Sequence, residues 1–286
     1  MRFNYQRISN IAHEHVYQLI KLNKVELTKY TFNDYFQYMI DKYNIRTFSH
    51  HFEDNLILGV TMIDESGISI SYEKDSIPSR QNFTKCHELG HLVLEHDGSF
   101  FAEKAKHHTK QELEADYFSS IILMPDIVLV TKIIYQQLSY QQLQEQLQVS
   151  NKALAIRLRQ FAQTYGNLPY HQAQGLVTSF RANTRAKEKL LKLIHTAEPI
   201  IIAKYKAVQP NYIAHLNEQL KSNKIATSLE LSIITEKEFR QKLPSHFSYA
   251  WQFGRGIDFY YVWNNQKVST KQAQKLAKDI WFKLAY

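Results

Sequence analysis

His87-Glu88-Leu89-Gly90-His91 is an H-E-x-x-H segment. On a helix, residues four apart stack on one face, so His87 and His91 can aim imidazole nitrogens at a single Zn²⁺ at roughly 2.0–2.1 Å. Glu88 lies one position round, where it cannot bind the same face of the ion but can take a proton from a water in the fourth position. Two histidines and a water leave zinc one ligand short. Gln111 to Met124 reads as a second helix, stopped by Pro125. Within it Glu112 and Asp116 share one face, while Ala115, Phe118 and Ile122 share another that can pack on the metal helix. This spacing makes Glu112 the expected third ligand. Asp116 is then the expected acceptor for the outer ring N–H of a ligand histidine. Glu114 falls off that face. The ordinary alternative for the pair is an acidic first turn favoured by the helix dipole.

The elements that must hold these residues are also legible. Leu56 to Ile63 and Gly67 to Tyr72 are β-branched runs separated by Asp64-Glu65-Ser66, a hairpin pattern with Gly67 closing the turn. Its edge strand is the expected rest for an extended substrate. The metal helix starts after Pro78-Ser79, with Phe83, Cys86, Leu89, Gly90, Val93 and Leu94 as its buried stripe. Gly90 costs about 1 kcal/mol of helix propensity, which predicts another backbone passing close by. Cys86 falls on the apolar stripe and is expected to be a packed small residue. Tyr72, His96, His107 and Tyr117 are candidates for stabilising an oxyanion, with none favoured. His107 and His108 lie in what reads as a polar loop between Asp97 and Lys110.

Arg80 to Phe83-Thr84 leading into Cys86-His87-Glu88-Leu89-Gly90-His91, then Glu112-Leu113-Glu114-Ala115-Asp116-Tyr117-Phe118, then Ile122-Leu123-Met124-Pro125, resemble the ImmA/IrrE family of cytoplasmic zinc peptidases. The resemblance covers roughly residues 35 to 165. It implies an α+β, minimal zincin-like fold with His87, His91 and Glu112 on Zn²⁺ and Glu88 as catalytic base. It also implies a protein substrate, a helix-turn-helix repressor whose cleavage releases silenced genes. Cys86 stands where that family usually has Ala. The tail beyond residue 180 shows no such resemblance.

The first residues are polar and no apolar run nears the ~18 residues that span a bilayer, so a cytoplasmic location and no membrane partner are expected. One cysteine allows no internal disulfide. Helical periods cover about 8 to 22 and 31 to 43. Ser139-Tyr140-Gln141-Gln142 is a capping box opening a helix with Leu143 and Leu147 inward. Val149 then marks a turn, and Ser150 caps a helix carrying Ala153, Leu154, Leu158 and Phe161. This is a helix-turn-helix pattern, in which Lys152, Arg157 and Arg159 could meet DNA. A plain helical hairpin supporting the peptidase fits it equally.

Gly166, Pro169 and Gly175 place a boundary near 170 to 180. The expected organisation is a metallopeptidase domain at 1–130, a helix-turn-helix-like segment at 131–170 and a small mixed α/β domain at 180–286. Residues 180 to 286 hold 18 Lys+Arg against 8 Asp+Glu, net +10, which invites nucleic acid or an acidic partner. Helices at 184–195, 211–222 and 270–285 and strands at Leu229–Ile234 and Ile257–Trp263 are expected there. Three functions compete: a zinc endopeptidase, a DNA-binding regulator with a non-proteolytic zinc site, and a binding protein that holds the repressor without cutting it.

Overall fold

The computed structural model describes residues 4–51, 57–98, 100–104, 109–254 and 256–285. His107 and His108 lie outside them. The fold is mixed α+β and divides into two compact units, Met1–Gln209 and Pro210–Tyr286.

In the first unit, helix α1 (Tyr5–Leu22) starts where the Asn4 side chain accepts the Arg7 N–H, and buries Ile8, Ala12, Val16, Leu19 and Ile20. Helix α2 (Phe32–Tyr43) opens with a Thr31/Asp34 capping box and ends at Asn44, which takes the left-handed φ of 50° that Asn tolerates. The first unit's sheet comprises β1 (Arg46–His50), β2 (Ile57–Asp64), β3 (Gly67–Glu73) and β4 (Phe100–Lys104), in the order β1-β3-β2-β4. The β2–β3 hairpin forms as expected, with Gly67 at φ 111° in its turn. It is not at the edge of the sheet: β1 pairs parallel with β3 and β4 antiparallel with β2. The substrate-edge role expected of the hairpin therefore cannot be its own. The edge nearer the H-E-x-x-H helix is β4, which lies in the segment read as a polar loop. Its few residues around Phe100-Phe101 are too short a run for periodicity to register.

Helix α3 (Pro78–Val93) carries the H-E-x-x-H residues, and Pro78 supplies the fixed φ suited to its first position. Helix α4 (Lys110–Leu123) is capped by Thr109, whose hydroxyl accepts the Glu112 N–H at 3.3 Å. A Cβ on Gly90 would sit 3.2 Å from the Cα of Ala115, so α4 is the backbone that Gly90 admits. Pro125 ends α4, but the chain turns by 42° into α5 (Asp126–Val130) and a π-helical turn, Thr131–Tyr135. Among the described residues no single helix is long and apolar enough to cross a membrane. The bent α4–α5 pair has the composition, and its residues lie in the protein core.

Helices α6 (Tyr140–Leu147) and α7 (Asn151–Gly166) begin at the expected caps, Ser139 and Ser150. Arg157, however, is no DNA contact. It is buried at 4% exposure, with Nη2 on Asp126 Oδ1 and Nε on the Met124 carbonyl. Asp126 also meets His13 Nε2 at 2.9 Å and accepts the Tyr165 hydroxyl, so one buried carboxylate ties α1, α5 and α7 together. Arg159 lies over the Tyr170 ring and donates to Gln174. A helical position alone cannot tell an inward arginine from an outward one when the inward one has a buried carboxylate to meet.

Helices α8 (Tyr170–Arg181) and α9 (Glu188–Ala207) complete the unit; Leu190, Ile194, Ala197 and Ile201 of α9 enter the same core. The compact unit thus ends at 209, not at 170–180. Gly166 sits inside α7 and Gly175 inside α8, so those glycines mark helices rather than a linker. With the break at 209/210, the second unit has 11 Lys+Arg and 6 Asp+Glu, net +5, half the excess assigned to residues 180–286.

The second unit contains α10 (Tyr212–Ser222), β5 (Ala226–Thr227), α11 (Lys237–Gln241), β6 (Phe247–Gly254), β7 (Ile257–Asn264) and α12 (Thr270–Ala285), with sheet order β5-β7-β6. Phe259, Tyr261 and Trp263 pack with Ala273 and Ala277 of α12, while Val262 packs with Leu216 and Ile234 on the other face. The strand expected at Leu229–Ile234 is absent. Glu230 accepts from both the N–H and the hydroxyl of Thr227, and a 3-10 turn at Ser232–Thr235 follows. A short apolar run fits a buried turn as well as a strand.

Candidate metal centre

Three side chains from α3 and α4 converge. His87 Nε2 and His91 Nε2 are 3.1 Å apart, His87 Nε2 is 3.0 Å from Glu112 Oε2, and His91 Nε2 is 3.6 Å from Glu112 Oε1. His87 and His91 are buried, and the Glu112 side chain is 16% exposed, so the cluster opens on the Glu112 side. These three form a group whose ligand atoms all lie within 4.8 Å, suited to a metal ion.

The outer nitrogens of both rings are anchored. His87 Nδ1 lies 2.9 Å from Asp116 Oδ1. A carboxylate only accepts, so the proton belongs on Nδ1 and the Nε2 lone pair faces the cluster. His91 Nδ1 meets His96 Nδ1 at 2.9 Å, and His96 Nε2 meets Glu114 Oε2 at 3.3 Å. Burial, with His87 alongside, brings His91 down to about 3 against the pull of Glu112, so its ring is neutral. Lone pairs facing one another at such distances need positive charge between them. Tetrahedral ligands at zinc's usual bond lengths lie about 3.3 Å from each other, and the observed spacings bracket that value.

Glu88 faces the sheet. It is fully buried, and its Oε2 accepts the Thr61 hydroxyl of β2 at 2.6 Å. A Cβ on Gly59 would come within 2.7 Å of Glu88 Oε1 and 2.4 Å of Thr84 Cγ2, so β2 lies against this carboxylate only because residue 59 is glycine. Phe101 of β4 stacks on His91 with centroids 4.6 Å apart.

The family model described as the IrrE N-terminal-like domain, a peptidase family, matches residues 40–159. Over residues 40–159 the chain is similar to that family. The matched residues hold the whole sheet of the first unit, α3 and α4 with their convergent side chains, and the Asp126–Arg157 pair. No curated protein and no solved structure matches the chain.

Of the residues singled out in the sequence, His87, His91, Glu112 and Asp116 come together, and Glu88 borders them from the sheet side. Cys86 is off the cluster: it is fully buried, its Sγ directed at the Ser119 carbonyl, and burial pushes the thiol up. Tyr117 packs edge-on against Tyr5 of α1, and the Tyr72 ring lies under Lys85. His96 meets the Nδ1 of His91, the ring nitrogen opposite the Nε2 that faces His87. Thr61 and Gly59 are site residues that the sequence did not disclose, as is the pairing of His96 with His91 and Glu114. The signal for His96 is the close of α3. Glu95 takes a left-handed φ of 53°, its N–H bonds the Leu92 carbonyl at 3.3 Å, and the His96 N–H bonds the His91 carbonyl at 3.1 Å. This is a Schellman closure, which usually announces itself by glycine.

Proposed function

We propose that the protein is a zinc-dependent endopeptidase that cleaves a regulatory protein, a helix-turn-helix repressor, in the cytoplasm. The observation that carries the reading is the convergence of His87 Nε2, His91 Nε2 and Glu112 at tetrahedral-ligand spacing inside a peptidase-family domain. Those three residues would hold Zn²⁺, and two histidines with one carboxylate leave the fourth position open, as in hydrolytic sites. When bound, the ion would polarise the scissile carbonyl and lower the pKa of water. Glu88 removes the proton from the attacking water and passes it to the leaving amine. Thr61 holds that carboxylate in place from the sheet. Asp116 keeps the His87 proton on Nδ1 and the Nε2 lone pair inward. The open edge of β4 is the place for an extended substrate segment, by backbone pairing. The competing DNA-binding reading is weakened by Arg157, which is spent on Asp126.

The test is to purify the full chain with zinc, incubate it with a candidate repressor and weigh the fragments. One equivalent of zinc and two defined fragments are expected, with Glu88→Gln keeping the metal and losing cleavage. Cleavage by Glu88→Gln at the wild-type rate, or an intact repressor with a zinc-loaded wild type across candidate substrates, would overturn the reading.

A further inference from the structure

We infer that His96 and Glu114 are positioning residues for His91, forming a relay that sets its tautomer; the inference rests on the metallopeptidase reading. His96 meets His91 at its outer ring nitrogen, and Glu114 meets His96. Glu114 is 4% exposed, and its two oxygens lie 3.3 Å from His96 Nε2 and 3.4 Å from Lys110 Nζ. Because a carboxylate accepts only, His96 carries its proton on Nε2 and donates it to Glu114. His96 Nδ1 is then a bare lone pair. That lone pair lies 2.9 Å from His91 Nδ1 and accepts its N–H, which leaves the lone pair of His91 on Nε2, the atom 3.1 Å from His87 Nε2. One buried charge thus fixes two protons in series.

The fold builds the relay at some cost. His96 reaches back to His91 because α3 closes with Glu95 in the left-handed region, a conformation unfavourable for a residue with a Cβ. The two rings come to 4.9 Å with planes 71° apart. His87 obtains the same service directly from Asp116, whose side chain is 47% exposed, whereas the His91 relay is buried. The two ligand histidines are therefore oriented by carboxylates two residues apart on α4, one through a single hydrogen bond and one through an intervening imidazole.

Zinc affinity of the full chain, read by competition with a chromophoric chelator, is expected to fall about 10–100-fold in His96→Phe, the usual loss when such a support is removed. His96→Gln, whose side-chain oxygen can accept the same N–H, is expected to stay close to wild type, a rescue that simple loss of packing would not produce. Nitrogen-15 NMR of the ring nitrogens in zinc-loaded wild type should find His96 neutral, protonated on Nε2. A His96 proton on Nδ1, or on both nitrogens, overturns the relay. So does wild-type zinc affinity in His96→Phe, which leaves the metallopeptidase reading intact. A wild-type chain that takes up no zinc overturns both.

Discussion

Replacing Asp126 by Asn removes the charge that neutralises Arg157 inside the first unit. Both side chains are 4% exposed, and Asp126 also serves His13 and Tyr165. Breaking one partner of a buried ion pair costs about 3–5 kcal/mol, because the other charge is left without compensation in a poorly polarisable interior. For a unit of this size each kcal/mol moves the midpoint by about 2–4 °C, so a drop of roughly 6–20 °C is expected. Burial alone would raise the Asp126 carboxyl, but Arg157 and His13 outweigh burial and hold it far below the usual range. A depressed native pKa means that the stabilisation is complete above the unfolded value, about 3.9, and fades as acid carries the pH down toward the native one. The gap between wild type and Asp126→Asn should therefore be constant from pH 7 to about pH 5 and narrow only below about pH 4. Thermal unfolding followed by circular dichroism reads both quantities. The double variant Asp126→Leu with Arg157→Met should be more stable than either single change, since an apolar pair leaves no orphan charge. A loss under about 1 kcal/mol at pH 7, or a double variant that shows the sum of the single losses, would refute the reasoning.

Thr61→Val should lower kcat/KM by about 10–100-fold with zinc content unchanged, because it removes a hydrogen bond to the charged Glu88 without touching a ligand; metal analysis beside peptide kinetics checks this. A chain ending at Gln209 should unfold cooperatively, whereas one ending at Gly175 should not, since it lacks the core side chains of α9, each worth about 1.5–3 kcal/mol for the larger ones; equal cooperativity in urea would contradict the boundary. Glu95→Gly should stabilise the first unit by up to about 1 kcal/mol by relieving its left-handed φ, and a lower melting midpoint would count against that. Cys86→Ala should keep both zinc uptake and activity, because the thiol packs away from the cluster; a well-folded variant without zinc would show otherwise.

The helices were legible wherever a cap met a clear apolar period. Ser139, Ser150 and Thr31 open helices at the expected places. The hairpin before the H-E-x-x-H segment was also readable, and so was the i, i+4 pairing that brings Glu112 and Asp116 together at His87. What could not be read was whatever depends on two distant segments meeting. β1 and β4 are short and gain their order from pairing with the hairpin. Gly59 looks like any strand glycine until Glu88 and Thr84 arrive beneath it. Arg157 resembled a surface base because its partner Asp126 lies across a proline bend. Glu114 was read as off the ligand face, and its partner His96 lies past a helix end that lacks the usual glycine. Periodicity describes which way a side chain leaves its own element and says nothing of what waits there.

Gly59 and Gly90 bear on how the site is spaced. On one flank of α3 a strand backbone lies against the Glu88 side chain; on the other the helix backbone lies against Ala115. Gly59 faces the side chains of Thr84 and Glu88, and Gly90 faces the Cα of Ala115, so a side chain at either glycine would have to displace the base on one flank or the α4 backbone on the other. The spacing of base and metal donors is thus set in part by two residues that carry no side chain at all.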